Sequence, residues 1–179
     1  NKEVKDTVGK INSLADTIYD LNLTIQGIEA AGVEDANDYR DRRDLALDQL
    51  SQLIEISYTE NEHGFVSVKA EGQEFIIESG VFHMGTEQLN ADKDSNYLSP
   101  VWEHLDGLPV FILDTDINSA KGNDIGKLKG ILLSRGGYKA DYTDIPTLPE
   151  NYTDAEYEQY LRDVDEYNYN TGASVVMKT

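Results

Sequence analysis

The stretch VKDTVGKINSLADTIYDLNLTIQGI, residues 4–28, repeats its apolar side chains every seven residues. One row of the repeat holds valine or isoleucine, and a second row follows three residues later; together they comprise Val4, Ile11, Ile18 and Ile25, then Leu14, Leu21 and Ile28. This spacing is typical of a helix that packs lengthwise against another helix. At 1.5 Å per residue such a helix spans roughly 40 Å. We therefore predict one limb of a coiled-coil-like hairpin.

The stretch NDYRDRRDLALDQLSQLI, residues 37–54, predicts the second limb. Gly32 suits the position after a helix C-terminus and Asn37 suits an N-cap, so the link between the helices is short. Arg40 would then lie across the hairpin from Glu29. One face of this helix is apolar except for Arg43, whose aliphatic stem can pack with its neighbours. The residues of this face are Tyr39, Arg43, Ala46, Leu47, Leu50, Leu53 and Ile54.

The second helix carries seven charged residues within positions 38–48. Asp41, Asp44 and Asp48 fall three or four residues apart, a spacing that could serve acid and base chemistry. Arginines interleave them, however, and a helix flank is not a concave site. The three histidines of the chain are isolated in sequence, without the spacing of a metal site. We predict no catalytic residue, no enzyme activity and no cofactor.

From Ile56 the hydrophobic period changes to two, which indicates strands. Turn sequences separate ISYT, FVSVKA, EFIIES and VFHM, so we predict an antiparallel meander of three or four strands. A polar loop is predicted over residues 85–100, followed by one more strand in LPVFIL, residues 108–113. Pro109 suits the start of that strand or a sheet edge.

Two short helices are predicted after the β segment. IGKLKGILLSRGG, residues 125–137, places Ile125, Leu128, Ile131 and Leu132 on one face and returns the chain to the hairpin. Thr153 and Glu156 form a capping box before a helix at about 154–167. The predicted fold class is α+β: a long antiparallel helical hairpin over 1–56, a β-rich lobe over 57–120 and a return segment over 121–179.

Composition excludes several kinds of partner. The chain carries 34 acidic against 15 basic residues, a net charge of -19, so it repels nucleic acid and anionic membrane surfaces. It has no cysteine, which excludes disulfides and thiolate metal sites. The start has neither an initiator Met nor an apolar signal segment, and we expect it to be a piece of a longer chain.

The best metal candidate is an incomplete calcium-loop pattern. Positions 1, 3, 5 and 12 of such a loop match Asp92, Asp94, Asn96 and Glu103, but tyrosine stands where the sharp turn requires glycine. A calcium-stabilised domain therefore remains a hypothesis, to be tested by the response of the melting curve to calcium.

Two segments resemble the hook-filament junction family, the family of flagellar hook-associated protein 1. The long one is INSLADTIYDLN, residues 11–22, together with residues 36–76. Within it the family's charged run is filled by Asn37, Asp38, Asp41, Arg43, Asp44, Leu47, Asp48, Leu50 and Ser51. The second resembles a G-x-L-x-G-[IL]-L segment, carried by Gly126, Leu128, Gly130, Ile131 and Leu132. Residues 136–170 depart from the family pattern.

The resemblance implies an extracellular structural subunit of the bacterial flagellum, exported by the flagellar type III apparatus, that joins hook to filament by self-assembly without catalysis. It implies axial partners: hook protein, the second junction protein and copies of itself, with no nucleic acid and no membrane. The sequence would be a central fragment lacking both terminal segments, monomeric in isolation. Assembly and packing would use Ile11, Leu14, Ile18, Leu21, Ile25, Ile28, Tyr39, Leu47, Leu50 and Leu53.

One alternative stays open at this point. Residues 138–170 hold seven of the eleven tyrosines in an acidic setting. An extracellular adhesion module could use such a surface to bind glycans, since aromatic rings stack on flat ligands.

Overall fold

A computed structural model describes residues 1–30, 32, 36–88, 97–111, 125–135 and 145–171. Its described elements are four α-helices and seven strands in two antiparallel sheets, which confirms the α+β class. The chain forms two compact units, Asn1–Glu87 with Ser99–Gly130, and Gln88–Leu98 with Ile131–Thr179. The division into 1–56, 57–120 and 121–179 stays a prediction.

Helix α1, Lys2–Ala30, is the long limb. The row Val4, Ile11, Ile18 and Ile25 is completely buried, as its heptad spacing predicts. The second buried row is a different one from the row predicted: it consists of Val8, Ala15 and Asn22, whereas Leu14, Leu21 and Ile28 are only half-buried. The buried face of α1 is therefore turned around the helix axis relative to the predicted face. The reason is that α1 packs against strands as well as against α2.

Helix α2, Asn37–Ser51, is the second limb, and Arg43, Ala46, Leu47 and Leu50 are its buried residues. The predicted N-cap Asn37 is wrong. The cap is Ala36, with no side-chain cap bond; its N–H instead donates to the Glu29 carboxylate of α1 at 3.4 Å. Tyr39 is also not on the packed face, because it is 36% exposed and lies beside the Arg42 guanidinium.

A four-stranded sheet follows in the order β1-β2-β3-β4, which confirms the predicted meander. Its strands are β1 (Ile56–Glu60), β2 (Val66–Ala70), β3 (Gln73–Ile77) and β4 (Gly80–Val81). The turn between β2 and β3 places both Glu71 and Gly72 at positive φ, 48° and 79°. Such a two-residue turn matches the twist of a tight hairpin.

The second sheet has the order β5-β6-β7, with β5 at Met84–Gln88, β6 at Leu98–Trp102 and β7 at Leu108–Pro109. The predicted polar loop over 85–100 is therefore wrong at both ends, which are strands. β5 (MGTEQ) is mostly polar, and β6 (LSPVW) ends in three consecutive buried residues, so neither strand shows the alternation of apolar and polar residues that predicts a strand from sequence. Pro109 lies in edge strand β7, as predicted, and the rest of the predicted strand beyond Phe111 falls outside the described residues.

Helix α3, Lys127–Arg135, begins against the end of α2. The N–H groups of Lys127 and Leu128 donate to the carbonyls of Gln52 and Leu53 at 3.0 and 2.9 Å, which confirms that this segment returns to the hairpin. Leu128 and Leu132 are buried as predicted, and Ile131 is half-buried. Ile125 is 46% exposed and precedes the helix, so its predicted place on the buried face is wrong.

Helix α4, Asp154–Thr171, starts with the predicted capping box. The N–H of Thr153 donates to the Glu156 carboxylate at 2.7 Å, and the Glu156 N–H donates to the Thr153 hydroxyl at 3.3 Å. The buried residues are Tyr160, Val164, Tyr167 and Thr171. No helix in the described part of the chain has the length and apolarity that crossing a bilayer demands.

Candidate functional site

The most unusual side chain of the hairpin is Arg43, whose guanidinium is buried beneath the sheet at 2% exposure. Its Nη1 donates to the Gly64 carbonyl at 2.6 Å and to Asn22 Oδ1 at 3.2 Å. Its Nη2 lies 3.3 Å from a Glu60 carboxylate oxygen. One cation thus joins α2 to α1, to β1 and to the β1–β2 turn.

Asn22 completes this contact from the α1 side. Its amide nitrogen donates to the Val66 carbonyl at 2.9 Å, and its amide oxygen accepts from the Val66 N–H at 3.1 Å. Asn12 makes the same pair of bonds with Met84, at 2.9 and 3.0 Å. Two amides on α1 therefore pair with strand backbone in the way a neighbouring strand would.

Arg40 forms the outer part of the contact, and the predicted pair with Glu29 is confirmed. Its Nε and Nη2 donate to the two Glu29 carboxylate oxygens, each at 2.7 Å, and its Nη1 donates to Glu60 at 2.6 Å. Two parallel hydrogen bonds between a guanidinium and a carboxylate fix the orientation of the two side chains and also pair their opposite charges. We call Glu29, Arg40, Arg43, Glu60 and Asn22 the arginine junction.

The arginines control the ionisation of both acids of the junction. The hydrogen bond from Arg40 holds the pKa of Glu29 below its ordinary value. Burial raises the pKa of Glu60, but the hydrogen bond from Arg40 and the charge of Arg43 outweigh it and leave the pKa lowered. Because both carboxylates are ionised and occupied by arginine, they are poorly suited to acid or base catalysis. The junction is built to hold three elements together.

A second polar contact fixes the start of α3. Lys129 Nζ lies 2.8 Å from a Glu71 carboxylate oxygen, with both side chains nearly buried, and 5.2 Å from the Phe111 ring centre. Burial raises the pKa of Glu71 despite the opposing charge of Lys129. Glu71 also holds a left-handed backbone, which costs energy for a residue other than glycine. No sequence signal distinguished this pair from exposed charges.

The predicted packing residues divide into three groups. Six are buried within the first unit: Ile11, Ile18, Ile25, Leu47, Leu50 and Leu53. Tyr39 is exposed. The remaining three, Leu14, Leu21 and Ile28, form a half-buried row along α1 that we call the α1 stripe. Only the α1 stripe combines apolar character, partial exposure and a regular spacing along the helix.

The metal candidate receives no support. Asp92, Asp94 and Asn96 lie outside the described residues, and Glu103 is exposed at the start of a short 3-10 helix after β6. Within the described ranges, no group of three or more His, Asp or Glu side chains is placed to hold a metal ion. The three histidines contact Glu62, Asp16 and the Phe82 ring respectively, through His63, His83 and His104.

The junction makes stability depend on pH in a definite direction. Folding lowers the pKa of Glu29 and Glu60, so the ionised forms of these two acids stabilise the folded state. Their contribution to the free energy of unfolding is present above the pKa that they have in the unfolded chain. It is lost as pH falls through the pKa that they have in the folded chain. The pKa of Glu71 is raised on folding, so its effect on stability has the opposite dependence on pH. Its contribution to the free energy of unfolding is lost as pH rises through its pKa in the folded chain. We expect urea midpoints to fall below about pH 5, and to fall less in Arg40→Gln than in Arg42→Gln. An equal acid response in the two variants would contradict the assignment.

Comparison with known proteins gives a consistent set of matches. The family model for the helical domain of flagellar hook-associated protein FlgK matches residues 1–166. Flagellar hook-associated protein 1 of Bacillus subtilis (strain 168) is 28% identical over 159 residues, covering 86% of this chain and 31% of that protein. The structure of the flagellar hook junction protein FlgK from Burkholderia pseudomallei is 28% identical, with a TM-score of 0.48 over 57% of this chain and 17% of that one. The chain thus spans less than a third of the length of either relative.

Proposed function

Because the chain belongs to the family of flagellar hook-associated protein FlgK, we propose that it is a structural segment of the junction between the bacterial hook and filament. It acts there by self-assembly and carries out no catalysis. The protein lies outside the cell as part of the flagellum, and reaches it through the flagellar type III apparatus.

The observation that carries this proposal is the α1 stripe. Leu14, Leu21 and Ile28 are spaced seven apart, so they follow α1 for roughly 21 Å at 1.5 Å per residue. The neighbouring isoleucine row is already buried within the chain. The α1 stripe is an apolar, half-exposed row beside a row that is already buried. A further helix could pack against it and bury the apolar surface that is still exposed.

The arginine junction supports the same role. A subunit that bears load must keep its helical limb and its sheet in a fixed relation. Arg43, Arg40 and Asn22 connect α1, α2, β1 and β2 with charge-assisted and paired hydrogen bonds, which are directional. The partners of the stripe are axial proteins: hook protein, the second junction protein and copies of the chain itself. In isolation the 179-residue chain is monomeric in dilute solution.

A motility assay tests the proposal. The parent gene is deleted and restored with Leu14→Gln and Leu21→Gln together, two changes on half-buried side chains that spare the core. Leu23, on another face of α1 and 46% exposed, supplies the matched control Leu23→Gln. We expect the double variant to lose swarming and to shed unattached filament protein, whereas the control swims. Normal filaments in the double variant, at normal protein levels, would overturn the proposal.

A further inference from the structure

The outer edge of the four-stranded sheet is β1, and half of its backbone groups point away from the sheet. The bonds from Glu71 N–H to the Glu55 carbonyl and from Asn61 N–H to the Phe65 carbonyl bracket the strand at 3.1 and 2.9 Å. In an antiparallel pair the bonded residues alternate, so residues 57 and 59 direct their backbone groups toward β2. The outward groups belong to Ile56, Tyr58 and Glu60, and they have no backbone partner within the described ranges.

This edge lacks three common forms of protection, and its one charged side chain, Glu60, is occupied by Arg40 and Arg43. Natural edge strands are blocked by lysine, proline or a bulge, and β1 (ISYTE) has none of these and pairs with β2 in unbroken register. Every residue from 57 to 60 is exposed, and Tyr58 is 57% exposed. Tyrosine, threonine and isoleucine favour strand structure. The edge is therefore ready to accept another strand.

The surroundings of the edge are acidic. The sheet crosses the hairpin with β3 and β4 against α1 and with β1 held to α2 through Glu60. β1 is therefore the strand on the α2 side of the sheet, and its Glu60 end lies against α2. Residues 36–62 carry seven acidic side chains against three arginines, two of which are engaged in the arginine junction.

Three of these acids form a row on α2. Asp41, Asp44 and Asp48 are exposed. Asp44 and Asp48 each lie two positions from the buried Ala46, which places them about 200° around the helix from it. The row therefore lies on the exposed side of α2, and Asp44 follows Arg40, which binds Glu60 of β1, by about one helical turn.

We propose that β1 binds an extended, basic segment of a partner protein by β-strand addition. The backbone of the added strand pairs with Ile56, Tyr58 and Glu60, and its lysine or arginine side chains meet the acidic row of α2. Backbone pairing gives affinity in such complexes, and the side chains select the partner. A second copy of this chain is disfavoured, because its net charge of -19 would bring acid against acid. The surface lies on elements other than the α1 stripe, and the inference does not rest on the flagellar role.

NMR titration of the 179-residue chain tests this. The probe is a short peptide that alternates lysine with valine, at about 0.15 M salt. The control peptide has the same side chains, but the backbone nitrogens along each edge are methylated so that neither edge can pair. We expect saturable shifts at the amides of 56–60, slowed hydrogen exchange at Tyr58 and Glu60, and at least about tenfold weaker binding of the methylated peptide.

Two variants separate the contributions. Tyr58→Pro removes an outward N–H and leaves the bonds to β2 in place, so it should weaken binding about tenfold or more, whereas Tyr58→Thr keeps that N–H and should retain most of the affinity. Asp44→Asn with Asp48→Asn should also weaken binding. If Tyr58→Pro unfolds the chain, the comparison between the methylated and the unmethylated peptide tests the proposal by itself. Absence of binding, equal binding of both peptides, or shifts that spare β1 would each overturn the proposal.

Discussion

Replacing Arg43 with methionine is expected to lower the free energy of unfolding by about 3–5 kcal/mol, because it removes the buried guanidinium of the arginine junction and leaves its acceptors behind. Methionine fills much of the volume of the arginine stem but donates no hydrogen bond. The Gly64 carbonyl loses a 2.6 Å donor, and Asn22 Oδ1 loses one of its two. Buried acceptors left unpaired cost about 1–3 kcal/mol each. Urea unfolding, followed by circular dichroism, measures the change.

The neighbouring Arg42 supplies the control. It has the same chemistry on the same helix, but it is exposed and its guanidinium lies 5.8 Å from the Tyr39 ring centre. Arg42→Met should change stability by no more than about 0.5 kcal/mol. Arg43→Lys should be intermediate, since one ammonium cannot reproduce the planar fork of arginine. Equal effects of Arg42→Met and Arg43→Met would mean that the buried cluster contributes nothing specific.

Gly126→Ala should destabilise the fold by about 2–4 kcal/mol, the sum of backbone strain and overpacking. Gly126 has φ of +97°, and an added Cβ would lie 2.9 Å from Ile54 Cα and 3.0 Å from the Leu53 carbonyl oxygen. Both obstacles are backbone atoms in the segment that follows α2, where Lys127 and Leu128 make their bonds. The methyl group would therefore force α3 away from the hairpin.

The matched change lies four residues later, in the same helix. Around Gly130 an added Cβ meets no atom within 4 Å. Gly130→Ala should therefore stabilise the chain by about 0.5–1 kcal/mol through helix propensity alone. Opposite signs for the two glycines, read from thermal or urea unfolding, are the expected result. A neutral Gly126→Ala would show that α3 does not start against α2 in solution, and a destabilising Gly130→Ala would show that the space around Gly130 is not open.

The elements that sequence reasoning found are those with a local cause. Heptad spacing gave α1, the capping box gave the start of α4, and alternation with turn residues gave β1 to β4. The Arg40–Glu29 pair also followed, because hairpin geometry and helix register fix which residues face each other. Each of these signals lies within a few residues or follows from one simple packing rule.

The features that were missed depend on distant partners. The sequence predicts only an aliphatic role for the Arg43 stem, because the acceptors of its guanidinium, at positions 22, 60 and 64, come from other elements. Asn22 gave a usable signal, since an amide in a heptad seam must pair inside the fold. Ala36 became the cap because Glu29 supplies its acceptor from α1. β5 is mostly polar and β6 contains a proline within a buried run, so neither sequence alternates, and their pairing across the fold was not predictable from local pattern.

Cysteine labelling of the α1 stripe tests the assembly role most directly. This segment has no cysteine, so Leu21→Cys introduces a single thiol into it, and Leu23→Cys supplies the control on another face of α1. Maleimide reactivity is compared between secreted unassembled protein and intact flagella, with any other cysteine of the parent protein removed. We predict that position 21 reacts in the unassembled protein and is protected in flagella, whereas position 23 reacts in both. Equal reactivity of position 21 in the two states would contradict assembly through the α1 stripe.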